Sequence, residues 1–196
     1  SAFDPTFYSV NGVYLQDQVK LGRFSALIGL RYDKYADKVN YLKANQTTVK
    51  QDAFIPRLGL VYAVRKNINV YATWAKGYMP QTAASISNPA AGGPFDPQYS
   101  ELMEVGTKSE WFDQRLSLTA SVYQIRLENV LYNAGVAGQP DLLRQIGEVT
   151  AKGAEFEVTG SITANWNLIA TYSYNDAAIT ESLKKEEVGI AQPNAP

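Results

Sequence analysis

The chain has 196 residues with no cysteine and no histidine, and its 18 basic and 19 acidic side chains leave a net charge of −1. This composition excludes disulfides, thiolate metal sites and every catalytic arrangement that needs a histidine base, and the near-neutral charge argues against nucleic-acid binding. No apolar run approaches the roughly 20 residues of a membrane-spanning helix.

The sequence predicts eight β-strands in succession, because apolar and polar residues alternate with period two. In the second of them, Phe24, Ile28 and Tyr32 share one parity, while Arg31 and Asp33 share the other. Most of these segments have about the 9–11 residues of a tilted transmembrane strand or slightly more, whereas strands of soluble proteins have about 5–6. The predicted strands are 11–20, 24–34, 54–62, 67–78, 101–111, 115–126, 151–160 and 166–175.

Short and long connections alternate strictly between these strands. An up-and-down meander therefore places all short turns at one rim and all long loops at the other, as outer-membrane barrels do. A soluble sandwich with Greek-key connections has no reason to keep this order. The short connections are 21–23, 63–66, 112–114 and 161–165, and the long ones are 35–53, 79–100, 132–150 and 177–196.

The apolar parity carries aromatic residues at both ends of the strands and aliphatic residues between them. Two aromatic belts around an aliphatic band are typical of a bilayer, since amphipathic rings favour the headgroup level. We therefore predict an all-β, antiparallel up-and-down transmembrane barrel. Phe24, Tyr62, Trp111 and Trp166 form the short-turn belt; Tyr32, Phe54, Trp74, Tyr78, Tyr172 and Tyr174 form the long-loop belt; Ile28, Leu58, Val70, Ala120 and Ala170 lie between.

The opposite parity is charged and is predicted to face a lumen. Buried charge must be paired or hydrated, which favours a wide lumen filled by water or by a polar plug. Glu155 and Glu157 lie about 7 Å apart along one strand, a separation compatible with a glycosidase pair, but salt bridging in the lumen is the better interpretation and no enzyme is predicted. The lumen candidates are Arg31, Arg57, Glu104, Lys108, Glu155 and Glu157.

Several stretches resemble, in chain order, successive barrel segments of TonB-dependent outer-membrane receptors, and most closely those of the ferric-siderophore branch. The resemblance covers nearly the whole chain, and its most specific part is 95–131. The stretches are GVYLQDQVKL, ALIGLRYDKY, FIPRLGLVYAV, INVYATWAKGYMP, FDPQYSELMEVGTKSEWFDQRLSLTASVYQIRLENVL, GEVTAKGAEFEVTGSITANWNLIATYSYNDA and PNAP.

The resemblance implies a 22-stranded barrel closed by an N-terminal plug, in the bacterial outer membrane, with a ferric siderophore captured outside and imported through contact with TonB. Residues 1–196 then form part of one barrel domain, about eight strands of it. The signal peptide, the plug domain and the terminal strands are expected to be absent from this segment. The implied partners are the siderophore, the protein's own plug, the TonB complex through the missing N-terminal region, and outer-membrane lipid. No cofactor is implied, and no residue is expected to coordinate iron, because the chelator already saturates it.

Residues that leave and re-enter the strands at the long-loop end are candidate ligand contacts. Aromatic side chains around a mouth can stack on a flat or apolar chelate, with polar groups supplying hydrogen bonds. A role in the aromatic belt or in loop packing is the alternative for each of them, and Tyr78 has lipid-facing parity. The candidates are Tyr78, Met79, Gln81, Phe95, Tyr99 and Tyr132.

Three alternatives remain open at this point. A small self-closed barrel with a structural or adhesive role predicts a lumen filled by mutually paired Arg and Glu side chains. A soluble ligand-binding barrel of lipocalin type predicts a monomer without detergent. Within the transporter class, cobalamin or a glycan could replace the siderophore, because loops and plug determine the substrate.

Overall fold

The computed structural model describes residues 5–82, 89–93, 95–163, 165–182 and 184–191. They form one antiparallel sheet of eight strands in the order β1 to β8, each paired with its neighbours in sequence. The predicted fold class is confirmed. The strands are β1 Thr6–Leu21, β2 Phe24–Val39, β3 Thr47–Arg65, β4 Ile68–Met79, β5 Gln98–Trp111, β6 Leu116–Asn133, β7 Leu143–Thr163 and β8 Trp166–Glu181.

The strands extend further toward the long-loop rim than the sequence predicted. The predicted loops 35–53 and 132–150 were too long, because β2 continues to Val39, β3 begins at Thr47 and β7 begins at Leu143. Beyond the hydrocarbon the outer face no longer needs apolar residues, so the alternation that marks a strand fades while the backbone pairing continues. Parts of the predicted loops 79–100 and 177–196, including the closing PNAP, lie outside the described residues.

The sheet is a single layer, so side chains between the belts are exposed rather than packed in a core. Ile28 is 53% exposed and Val105 is 58% exposed, as are several other large apolar residues on this parity. We call this side of the sheet the outer face. No helix within the described ranges is long and apolar enough to cross a bilayer.

Within the described residues, a small enclosed core lies near the long-loop rim. Ile146, Val149 and Ile179 are almost fully buried there, and Leu127, Val130 and Tyr132 pack against them. The segment after β8 turns back over this cluster, because the Gly189 amide donates to the Ile179 carbonyl at 2.8 Å. We call this packed region the collar.

The sheet is open in the part of the chain that the structure describes. β1 pairs only with β2, and β8 pairs only with β7 among the named strands. A self-closed eight-stranded barrel would require pairing between β1 and β8, which this sheet does not have. Hydrocarbon does not tolerate unpaired backbone groups along a strand edge, so both edges need partner strands in a membrane.

Candidate functional site

The register places all six predicted lumen residues on one face of the sheet, which we call the lumen face. Gly29 of β2 lies opposite Arg57 of β3. Across β5, β6 and β7, Lys108 lies opposite Thr119 and Thr119 lies opposite Glu157. The six residues therefore lie on the same face of the sheet, and Ile28 lies on the opposite face.

Arg31 and Arg57 make separate polar contacts on β1–β3. The Arg31 guanidinium donates to the Asp33 carboxylate at 2.7 Å. Arg57 instead donates to the hydroxyl of Tyr14 at 2.5 Å and to the side-chain carbonyl of Gln16, and its guanidinium carbon lies 5.4 Å from the centre of the Tyr14 ring. Arg57 is therefore held by neutral partners, and its charge is not paired with a described carboxylate.

The other four predicted lumen residues line one shallow hollow on β5–β7, together with Tyr71. The Tyr71 hydroxyl donates to Glu104, and the Lys108 ammonium lies 5.7 Å from the centre of the Tyr71 ring. Glu157 accepts a hydrogen bond from Thr159, and the described residues provide no ion pair for Glu104, Glu155 or Glu157. Three carboxylates against one ammonium leave the hollow with an excess of negative charge.

Large lumen-face side chains lie flat across glycines of neighbouring strands. Arg57 covers Gly29, and the rings of Tyr71 and Tyr123 cover Gly106 and Gly153. A β-carbon at Gly106 or Gly153 would lie 2.6 or 2.4 Å from the covering ring, so these positions admit only glycine in this arrangement. The glycines thus let bulky polar side chains lie along the wall.

Tyr14, Tyr71 and Tyr123 were not among the predicted site residues. The signal that could have found them is their parity, which they share with the charged residues. Sequence reasoning looked there for charge and treated aromatic residues as belt markers.

At the mouth, Tyr78, Gln81 and Tyr99 pack against the barrel. The Tyr78 hydroxyl donates to Gln51 at 3.2 Å, and the backbone amide of Gln81 donates to the same oxygen at 2.9 Å. The rings of Tyr78 and Tyr99 are 5.6 Å apart, and Gln81 is buried. Backbone pairing between β3 and β4 ends at Ala75. Beyond that point the Tyr78 hydroxyl reaches Gln51, which lies on the lumen face of β3, although the parity of Tyr78 is that of the outer face.

The other three mouth candidates differ from one another. Tyr132 packs on the collar, Phe95 is half-buried, and Met79 is 55% exposed. Met79 is thus the candidate with the most exposed side chain, whereas most of the others have packing roles. Contact of any of the six with a ligand stays a prediction.

Gln145 on β7 fastens the segment before β5 to the collar. Its side-chain oxygen accepts from the Asp96 amide at 3.0 Å, and its side-chain nitrogen donates to the carbonyls of Asp96 at 2.7 Å and Asn129 at 3.1 Å. Asn129 adopts φ 60° and donates from its own side chain to the Pro97 carbonyl at 2.9 Å. Sequence reasoning missed Gln145, because a lone glutamine in a predicted loop carries no local signal.

Removing this clamp is expected to loosen the segment at Asp96. Gln145→Ala deletes three hydrogen bonds of about 1 kcal/mol each, so we expect amide exchange at Asp96 to accelerate at least about tenfold. Gln18→Ala is the control, since the Gln18 side chain makes no hydrogen bond to the described residues. Hydrogen-exchange mass spectrometry measures both, and equal exchange in the two variants would contradict the clamp.

A second tether joins the collar to the 3-10 helix Lys185–Glu187. Arg144 donates to both carboxylate oxygens of Glu187, at 2.9 and 2.6 Å, and Ser182 donates to one of them at 2.8 Å. The Ser182 hydroxyl, and after it the Arg144 guanidinium, lower the pKa of Glu187 below its ordinary 4.5.

This tether predicts a pH dependence at the rim. Because folding lowers the pKa, the contribution of Glu187 is complete above pH 4.5 and is lost as the pH falls through the folded value. We expect exchange of the Gly189 amide, corrected for its intrinsic rate, to accelerate below pH 4.5. Glu187→Gln should exchange faster at neutral pH and lose this transition; a transition that persists in the variant assigns it to another group.

Comparison with known proteins decides the family. The protein-family model described as "TonB dependent receptor-like, beta-barrel" matches residues 1–196. The chain belongs to this family. TonB-dependent receptors of this family are outer-membrane β-barrel proteins, so the predicted family and location are both confirmed.

Three similar proteins show how much of a receptor this chain represents. The metal-pseudopaline receptor CntO of Pseudomonas aeruginosa is 27% identical over 175 residues, covering 85% of this chain and 24% of the relative. A probable TonB-dependent siderophore receptor, PiuA of Acinetobacter baumannii, is 26% identical over 196 residues, covering 93% and 25%. The crystal structure of the ferric-catecholate import receptor Fiu from Escherichia coli K12 shares the fold with a TM-score of 0.75 at 21% identity, over 91% of this chain and 29% of Fiu. The chain spans about a quarter of the length of the curated relatives it matches.

Proposed function

We propose that the protein containing this segment imports a ferric siderophore across the bacterial outer membrane with energy supplied through TonB. The observation that carries the proposal is the family match over residues 1–196, together with relatives that are named as receptors for metal–pseudopaline and for siderophores. In this role the segment supplies barrel wall, lumen lining and part of the mouth. It contributes no catalytic residue, and the protein is a transporter rather than an enzyme.

The open sheet supports the proposal that residues 1–196 belong to a larger barrel. Edges along β1 and β8 need partner strands inside a bilayer, and the family supplies them in a 22-stranded barrel. The plug domain and the region that contacts TonB then belong to other parts of the full-length protein.

The acidic hollow supports a plug as the neighbour of the lumen face. Glu104, Glu155 and Glu157 outnumber Lys108, so basic side chains on a plug would complete their ion pairing. Glu155→Gln combined with neutralisation of a facing plug arginine should show a coupling energy of 0.5–3 kcal/mol in a double-mutant cycle, the range for residues in contact. Zero coupling for each of the three carboxylates would contradict the arrangement.

Uptake by cells tests the transport proposal directly. Disruption of the gene should abolish growth on a ferric siderophore as the only iron source, and a plasmid copy should restore growth only in a strain with TonB. Radioactive iron uptake from a panel of chelates then identifies the substrate. Cobalamin and glycan uptake, measured in the same strains, are the controls; loss of one of these with normal iron uptake would overturn the siderophore assignment.

A further inference from the structure

Asp17 is an ionisable residue on the outer face of β1, in the middle of an apolar surface. Its neighbours on the same face of β1 are Leu15 and Val19, and Ile28 lies directly opposite it on β2. All three of these apolar side chains are exposed. A carboxylate among them would contact the hydrocarbon of a bilayer.

The register sets the depth of Asp17 in the wall. Val13, opposite the belt residue Tyr32, lies four residues from Asp17 on one side, and Leu21, opposite the belt residue Phe24, lies four residues from it on the other. Four residues span roughly 13 Å along a strand, or roughly 10 Å of depth at the usual tilt of about 35–45°. Asp17 therefore lies between the aromatic belts. Ionisable residues at such a depth are costly, and they occur where a partner group meets them.

The part of the chain that the structure describes supplies no such partner. No basic nitrogen in it lies within 4.0 Å of the Asp17 carboxylate. The carboxylate instead accepts the backbone amide of Gln18 at 2.8 Å. On β2, the outer-face positions between the belts are Ala26, Ile28 and Leu30, whose side chains have no hydrogen-bond donor. The partner must therefore come from the other side of β1.

Backbone pairing shows that this carboxylate lies at the free edge of the sheet. The Ala63 amide donates to the Arg23 carbonyl at 2.8 Å, so odd-numbered residues of β2 bond to β3 and even-numbered ones, including Ile28, bond to β1. Asp17, opposite Ile28, thus directs its own backbone amide to β2. The next amide, that of Gln18, points to the free edge. A strand that paired there would accept the Gln18 amide with a carbonyl and release the carboxylate to a side chain.

The alternating pattern alone does not fix the register of a strand on this edge. A slip of one residue would turn its apolar side chains to the lumen, but a slip of two residues keeps every side chain on its own face. A single polar pair on the apolar outer face distinguishes these registers, because only one of them brings the two groups together. Setting the register is the best-attested use of polar pairs in apolar surroundings.

We propose that the strand pairing with the free edge of β1 carries an arginine, lysine or histidine on its outer face, opposite or diagonal to Asp17, and that this pair sets the register of the two strands. The inference rests on the larger barrel proposed above, in which an up-and-down topology places another strand beside β1. A basic side chain is the complement of the carboxylate in charge and in hydrogen bonding, and the diagonal positions are within reach of long side chains.

Removing the carboxylate separates a paired aspartate from a lone one by the sign of the effect. In full-length receptor folded into vesicles, Asp17→Val should lower the folding equilibrium constant at least about tenfold, because the basic partner is left alone in hydrocarbon. A lone aspartate would give the opposite sign, since valine replaces a charge with an apolar side chain. Denaturant titration measures the change, and an equal or higher stability of the variant would overturn the proposal.

Leu58→Asp is the matched control for this level of the wall. Leu58 lies opposite Ile28, in the same row as Asp17, and its other neighbour is Trp74. The new carboxylate has no partner there, so this variant should also be less stable than the unaltered protein. Unchanged stability in Leu58→Asp would mean that the row does not lie in hydrocarbon, which would remove the reason for a partner of Asp17.

Cysteine cross-linking identifies the partner residue. Residues 1–196 contain no cysteine, so Asp17→Cys can be combined with single cysteines along the outer face of the neighbouring strand, in full-length receptor without other cysteines. Disulfides require Cα atoms within about 7 Å, so the position that cross-links defines the register. We expect an arginine, lysine or histidine at that position or two residues from it. Replacing this residue with aspartate should reduce the yield of folded barrel, and adding Asp17→Arg should restore the yield.

The outcomes of the cross-linking experiment separate this inference from the proposals on which it rests. Neutral or acidic residues at all three positions, or no restoration by the exchanged pair, would overturn the register pair and leave the larger barrel intact. The absence of a cross-link along the whole strand would overturn both. Neither result depends on the siderophore assignment, because folding is measured and uptake is not.

Discussion

Replacing Ala120 with arginine is expected to lower the free energy of unfolding in lipid vesicles by about 2–4 kcal/mol, the cost of a basic residue on the lipid face near the bilayer midplane. Ala120 lies on the outer face of β6, between Thr107 of β5 and Phe156 of β7. Both neighbours lie between the aromatic belts, so the guanidinium would enter hydrocarbon without a partner. Denaturant titration of the protein folded into vesicles measures the loss.

The control lies one residue away and points to the other side of the wall. Thr119→Arg places the same group on the lumen face, opposite Lys108 and Glu157. Water and a carboxylate are available there, so we expect a change below about 1 kcal/mol, the usual size for an exposed charge. Equal losses in the two variants would show that lipid does not contact the outer face.

The second large effect concerns the glycines beneath the lumen tyrosines. Gly153→Val is expected to destabilise the protein by about 1–3 kcal/mol, the usual cost of overpacking. A β-carbon at Gly153 would lie 2.4 Å from the Tyr123 ring and 2.6 Å from the backbone carbonyl of Tyr174. The ring can swing aside, but the carbonyl belongs to a paired strand and cannot.

Gly59→Val is the matched control for this substitution. Gly59 has the same parity on β3, but the atom nearest to an added β-carbon is the Leu27 β-carbon at 3.8 Å, an ordinary contact. Valine also has a higher strand propensity than glycine, so we expect no loss of stability here. Similar destabilisation by both variants would mean that glycine is needed for strand flexibility and not for the close approach of the Tyr123 ring and the Tyr174 carbonyl.

The parts of this fold that the sequence predicted are those encoded locally. Strand number and face follow from period-two alternation, and each residue of a strand such as 24–34 contributes to that signal without reference to the rest of the chain. Strand direction follows from the alternation of short and long connections. The placement of Arg57 and Glu155 on one face of the sheet follows from the same alternation, and that this face lines a lumen stays a prediction. Family resemblance then supplied the class of protein, which no single strand could provide.

The parts that were missed depend on contacts between distant segments. The clamp of Gln145 on Asp96 joins residues 49 positions apart, and Arg144 meets Glu187 across 43 positions. The extension of β7 back to Leu143 depends on pairing with β6 rather than on its own pattern. Candidate ligand contacts at the mouth were drawn from residue type, and the structure shows that type alone did not distinguish packing residues such as Gln81 from the exposed Met79.

Because of the collar, apolar side chains at the rim are buried by the protein itself, whereas those in the middle of the same strands are not. Between the belts the described residues enclose no apolar core, so their outer face depends on the hydrocarbon around it. At the rim, Ile146, Val149 and Ile179 are withdrawn from water by the protein itself. Exchange of lipid for detergent therefore perturbs the middle of each strand, whereas the side chains of the rim keep their order. Melting of the rim exposes to water the apolar side chains that the protein itself buries, so calorimetry should assign the positive heat-capacity change to the rim alone.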